Sequence, residues 1–259
     1  MFSKADVIFE SSHFIAEKAL QIDKQVVLES VHRVAADILQ ELQIRSLSKI
    51  IIKNLNLFDN VLGTARMNSM NSAIALSFEA AIQLSDIDNE MYREGLSILY
   101  HEMYHIKDYE IMGRSLLNHA SNNSVIETGY DLWTEFFATH SSFNVYEAEY
   151  VYDSFDTCFL TWDSPLENKK YFLSHLMGYY LNSEHSSRCE QLINKHLCKK
   201  HVQQLSTHIT DMLKQYPRVS MTKFEELDIL TSKVATTKYD IAECREIGIQ
   251  ELLNSARRK

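Results

Sequence analysis

The sequence predicts an α+β fold that is mostly helical, and three observations predict it. Glycine (6) and proline (2) are scarce in 259 residues, so tight turns are few and long helices are favoured. Lys49-Ile50-Ile51-Ile52-Lys53 is a dense β-branched run and reads as a strand. Past residue 148 the chain reads as mainly helical, with no further strand signal.

Two helices are expected to open the chain, over residues 4–21 and 24–43. In the second, Val26, Val27, Val31, Val34, Ile38 and Leu42 fall near helical spacing. The strand 49–53 follows. Residues 63–68 and 72–77, joined by a polar Asn/Ser turn, read as a β-hairpin. A long helix then runs to about Met112. Ser85 or Asp86 is placed to cap it, Asp88 and Glu90 suit the positive end of its dipole, and Gly113 offers a stop. Past the polar connection 119–124, another helix extends to about Tyr146. Helices over 169–181, 188–216 and 222–254 complete the pattern, broken near Pro165 and Pro217. This order suggests a first domain over 1–148 and a helical C-terminal lobe over 149–259.

The formal charge of -9 argues against a nucleic-acid partner, which would need clustered Lys and Arg to neutralise phosphates. Short basic stretches such as Lys199-Lys200-His201 read as solvated helix faces. The first residues carry Asp6 and Glu10 without a continuous apolar stretch, unlike a secretory leader, and no run approaches the roughly 20 apolar residues of a membrane span. Cys158, Cys189, Cys198 and Cys244 are widely spaced, which suits reduced thiols better than a disulfide framework. The expectation is a cytoplasmic chain with no membrane partner; delivery into a host cell by a leaderless route fits the same features.

The chemistry concentrates in His101-Glu102-Met103-Tyr104-His105. Residues four apart on a helix project from one face, so both imidazoles can bind a single ion. Zinc accepts neutral imidazole nitrogen and prefers four ligands. Glu102 sits beside that face and can take a proton from water without occupying the metal. Leu96, Ile98, Leu99, Tyr100, Met103 and Ile106 make the helix apolar. Two histidines and a carboxylate in such a wall need partners, because unsatisfied buried polar groups are costly.

A catalytic zinc also needs a third protein ligand. The metzincin pattern would place Gly at 108 and His at 111, where this chain has Asp108 and Ile111. Glu135, a carboxylate in the aromatic run Leu132-Trp133-Thr134-Glu135-Phe136-Phe137, is the favoured candidate. Asp131, Glu127, His119 and His140 are the alternatives. A second cluster, His185, Cys189, His196, Cys198 and His201, has helical spacings but no tight Cys-x-x-Cys knuckle, and reads as a polar helix with scattered histidines.

His101 and His105 followed by Glu135 resemble the gluzincin branch of zincin peptidases. The hairpin ahead of the histidine helix is similar to small ImmA/IrrE-type peptidases. The similarity covers roughly residues 45–147. It implies a zincin-like core, Zn2+ held by His101, His105 and Glu135, and Glu102 as general base. Thr139 stands where many gluzincins carry an Asp, and Phe136 where the ImmA/IrrE pattern has Ala. The resemblance further implies a protein substrate paired with an exposed edge strand. That edge is expected at 72–77, with Ile74 and Leu76 contacting substrate. An oxyanion donor is expected from Tyr179, Tyr180, His175 or His208. The implied function is a zinc metallopeptidase of restricted specificity, either regulatory or an effector. The alternative is an inactive, metal-stabilised binding module, against which the presence of Glu102 argues.

Overall fold

The computed structural model describes residues 5–10, 23–53, 55, 62–68, 70–120, 123–142, 165–182 and 186–237. The chain is α+β and mostly helical, with one small mixed sheet. Strand β1 (Asp6–Phe9) leads into helix α1 (Lys24–Leu42), then to β2 (Leu47–Lys53), β3 (Gly63–Arg66) and β4 (Ser72–Ser77). The sheet order is β1-β2-β4-β3, with β1 and β4 parallel to β2 and β3 antiparallel to β4. Asp23 caps α1 by accepting from the Gln25 and Val26 amides. The helix then lays Val27, Val31, Val34 and Ile38 against Ile50, Ile52, Ile74 and Leu76 of the sheet.

The helix expected over 4–21 is a strand where it is described. Val7, Ile8 and Phe9 pair with Ile50, Ile51 and Ile52, a partner more than forty residues away that local spacing does not reveal. Residues 11–22 lie outside the described residues.

Ser77 ends β4 and caps a short helix, α2 (Phe78–Gln83), by accepting from the Ala80 amide at 3.1 Å. Helix α3 (Tyr92–Asp108) starts later than the expected 85–86. Asp86 and Asn89 instead accept from the amides two residues on, at 3.0 and 2.8 Å, and hold the segment as turns. Nor does Gly113 stop the helix. α3 passes through a π-helical segment, Tyr109–Gly113, into α4 (Arg114–Ala120). No glycine among the described residues has a positive φ, so Gly113 is not a left-handed cap. Its missing side chain makes room for Tyr130: a Cβ there would lie 2.0 Å from the tyrosine hydroxyl oxygen.

Helix α5 (Ser124–Ser142) is followed by α6 (Leu166–Tyr180), α7 (Ser186–His196), α8 (Lys199–Gln215) and α9 (Met221–Thr236). The helix expected over 188–216 breaks in two at Leu197 and Cys198, both buried, Leu197 in the helical core. The ends of the helices expected to reach 146 and 254 lie outside the described residues.

The buried apolar side chains form two clusters. One joins the sheet to α1, α2 and α3. The other joins α5 to α6, α7, α8 and α9 around Tyr130, Trp133, Phe136 and Phe224. α3 and α5 pack directly on one another along the boundary. Among the described residues no helix is long and apolar enough to cross a membrane. Gly113→Ala is expected to destabilise the fold by about 1–3 kcal/mol, because fully buried Tyr130 has nowhere to retreat. A lowered thermal midpoint checks it, and an unchanged midpoint would mean that the helix yields.

Candidate metal centre

α3 and α5 bring three ligand side chains together at the boundary of the two cores. His101 and His105 stand one turn apart on α3, with Nε2 atoms 3.0 Å from each other. From α5, Glu135 Oε2 lies 3.6 Å from His101 Nε2 and 3.7 Å from His105 Nε2. Among the described residues this is the one group of three or more ligand-type side chains whose donor atoms all lie within 4.8 Å of one another.

The residues fit a metal ion by their own chemistry. Glu135 Oε2 is buried and makes no hydrogen bond of good geometry, while two imidazole nitrogens face each other. A cation among the three donors satisfies all of them, whereas protein alone leaves a costly orphan. The protonation states agree. Burial pushes the His105 pKa down to about 4, so the imidazole is neutral at pH 7. For Glu135 burial pulls upward, but His105, His101 and His175 outweigh it and hold the carboxylate well below its usual range. A neutral imidazole and an ionised carboxylate are the forms that bind a metal. The cluster can therefore hold a metal ion.

Glu102 is buried beside this cluster without belonging to it. Desolvation raises its pKa to about 7; His101 and the Ala65 amide draw it down and Glu135 pushes it up. Gly63 gives it room, since a Cβ at that position would lie 2.8 Å from Glu102 Cγ and Oε1.

These groups open onto a cleft of about 610 Å³ lined by Gly63, Thr64, Ala65 and Met67 on one side and Asp131, Glu167 and Tyr171 on the other. The strand beside the site is therefore β3, and the expected edge, β4, is interior. Ile74 and Leu76 are fully buried and paired with β2 on one side and β3 on the other, so they cannot meet a substrate. Leu62 O accepts from Ser77 N at 2.8 Å, which turns the backbone groups of Leu62, Thr64 and Arg66 toward β4. Those of Gly63 and Ala65 then face the cleft, where Glu102 takes the Ala65 N–H.

A second layer of side chains holds the ligands. His105 Nδ1 lies 3.0 Å from Thr134 Oγ1. Behind Thr134 sits Asp108, fully buried, with the Trp133 indole donating to its Oδ1 at 3.3 Å. The hydroxyls of Tyr130 and Tyr216 approach the same carboxylate without good geometry. Their pull is partial, so burial prevails and raises the Asp108 pKa to about 6. On α6, His175 Nε2 lies 3.3 Å from Glu135 Oε2, and its Nδ1 is 2.7 Å from Thr139 Oγ1. Its ring stacks on His101 and meets Tyr171 edge-on.

No protein-family model, curated protein or solved structure matches this chain. The zincin resemblance accordingly rests on the site residues themselves.

The other sequence candidates are dispersed. Asp131 lines the cleft but stays outside the cluster, and Glu127 is exposed. The His119 ring is bonded to Ser115 O at 2.6 Å, and His140 Nδ1 faces Gly178 O. Of the proposed oxyanion donors only His175 reaches the site. His208 donates to Lys223 O at 2.8 Å, while Tyr179 and Tyr180 pack against the helical core. Cys189, His196, Cys198 and His201 form no ligand cluster among the described residues, and His185 lies outside them. Sequence reasoning missed Tyr171, Thr134 and Asp108. Tyr171 precedes His175 by four residues and Asp108 follows His105 by three, so a search one helical turn from each histidine finds both.

Thr134→Val is expected to weaken metal affinity about 10–100-fold with the fold intact, by releasing His105 Nδ1. Chelator competition checks it. Asp108 binds its proton more tightly folded than unfolded, so its contribution is greatest below pH 4 and is lost as pH rises through about 6. Metal-free Asp108→Asn is therefore expected to lose part of the wild-type fall in thermal midpoint between about pH 4 and 6. An identical fall in both proteins would remove Asp108 from the pH response.

Proposed function

We propose that the chain is a zinc-dependent metalloendopeptidase with a zincin-like core, hydrolysing a protein substrate. The observation that carries this reading is Glu102. Metal binding alone has no use for this carboxylate, yet it is buried against the cleft beside His101 with its pKa near 7. That value lets one group accept a proton and return it at neutral pH.

His101, His105 and Glu135 would hold the zinc, whose two-nitrogen, one-oxygen donor set leaves a position open. Zinc bound there supplies a Lewis acid that acidifies water and polarises the scissile carbonyl. The residues of the chain supply the rest. Glu102 takes the proton from the attacking water and passes it to the leaving amine. His175 is the candidate donor to the developing oxyanion, aimed by Thr139. Tyr171, whose hydroxyl pKa is raised by burial and by nearby Glu135 and Glu102, stays neutral and able to donate.

Peptide as the substrate class is supported by β3. It is a sheet edge bordering the cleft, with the carbonyls of Gly63 and Ala65 turned toward it. An extended chain can add to such an edge through main-chain hydrogen bonds.

The wild type is expected to carry about one zinc per chain by elemental mass spectrometry, and Glu135→Ala a small fraction of that. Glu102→Gln is expected to keep the zinc and lose peptide cleavage by about 10²–10⁴-fold. Wild-type protein that takes up no metal from a zinc solution would overturn the reading. So would cleavage that survives in Glu102→Gln.

A further inference from the structure

A second cavity, of about 620 Å³, lies at the far end of the hairpin. Its walls include Arg45 and Ser46 after α1, Asn68 and Met70 in the hairpin turn, Lys107 at the end of α3, Glu110 in the π-helical segment and Arg114 at the start of α4. Lys107, Glu110, Ile111 and Arg114 all line it from the helical run that passes through the π-helical segment.

The charge of this cavity is unusual for the chain. The protein carries 35 acidic against 26 basic residues, yet three cations and one carboxylate line this wall. The carboxylate is already committed, because Glu110 Oε1 accepts the backbone amides of Arg45 and Ser46 and ties the loop to the π-helical segment. The side chains of Arg45, Lys107 and Arg114 make no ion pair or hydrogen bond among the described residues. The opposite holds at the metal cleft, where Glu102, Asp131, Glu135 and Glu167 converge.

The two cavities are linked through a third by shared lining residues. A smaller one, of about 250 Å³, shares Met67 with the metal cleft and Asn68, Tyr109 and Arg114 with the basic cavity. The path between them follows β3 and the residues just past it. Gly63, against Glu102, and Met67 are four residues apart, about 13 Å in an extended strand.

We propose that the basic cavity is a specificity subsite for an anionic side chain of the peptide substrate, three to five residues from the cleaved bond. The inference rests on the peptidase reading for its position and on charge complementarity for its ligand. Two arginines suit a carboxylate or a phosphate through paired N–H donors. Asp131 and Glu167, outside the ligand set, disfavour the same charge along their wall of the metal cleft, so the two cavities together set a register.

The test uses the zinc-loaded full chain and the double variant Arg45→Gln/Arg114→Gln, both exposed positions, matched for thermal midpoint. A degenerate peptide library is digested and the cleavage sites are read by mass spectrometry. The wild type is expected to enrich Asp or Glu at one position three to five residues from the cut. The ratio of kcat/KM for a matched Glu peptide over its Gln counterpart is expected to fall at least tenfold in the variant. A phosphoserine peptide separates the two anions: a ratio above that for Glu assigns the subsite to phosphate, a lower one to carboxylate. Cleavage with no acidic preference, or a preference unchanged in the variant, overturns the proposal while leaving the peptidase reading intact.

If nothing is cleaved, fluorescence anisotropy decides separately. Labelled hexaglutamate binding more tightly than hexaglutamine, and losing that advantage in the variant, supports an anion subsite without a peptidase. Equal binding of the two overturns it.

Discussion

Glu135 Oε2 sits between three imidazole nitrogens at 3.3–3.7 Å, and much of the surrounding structure serves to keep it there. A carboxylate in an otherwise aromatic helix segment is expensive unless polar groups face it. α3 supplies two of the facing rings and α6 the third, so α5 is committed to touching both helices at one level. That contact turns the Trp133 face of α5 to Phe224 and the helical core, and the Glu135 face to the cleft. The short sheet is tied to the same point from the other side, through the Ala65 amide on Glu102 and the close approach of Gly63.

Two histidines of the site are oriented through hydroxyls where a carboxylate would be the more direct device. Thr134 stands between His105 and Asp108, and Thr139 stands behind His175. Asp108 thus acts at one remove, buried among Trp133, Tyr130 and Tyr216. The threonine at 139, a departure from the gluzincin pattern, orients a histidine of α6 that neither His101 nor His105 replaces. Residues from both cores are consequently bound into one polar network, and the helical half of the chain is more than a lid on the sheet.

Legibility in the sequence followed the range of the interactions. The His101–His105 pair was readable because helix geometry alone brings the two rings together, and Glu135 because a lone carboxylate among Trp133, Phe136 and Phe137 needs an explanation. α1, β2 and the hairpin were readable from short-range spacing for the same reason. β1 was not, since Asp6–Phe9 is a strand only by pairing with Ile50–Ile52. The edge was assigned to the wrong arm of the hairpin: both arms look alike in sequence, and only the parallel contact of β4 with β2 buries Ile74 and Leu76. His175 could be named by type but not chosen over His208, because the choice depends on which helix crosses α5 beside Glu135.

The three ligands do not belong to one core. His101 and His105 ride on the helix that packs against the sheet, whereas Glu135 rides on the helix that carries Tyr130, Trp133 and Phe136 of the other apolar cluster. An ion that binds all three recognises only the docked arrangement of the two, and its binding free energy is added to that of docking. With a metal held there, the free metal concentration around the protein would become a variable of its mechanical integrity, riveting the seam between the cores in plenty and releasing it in scarcity.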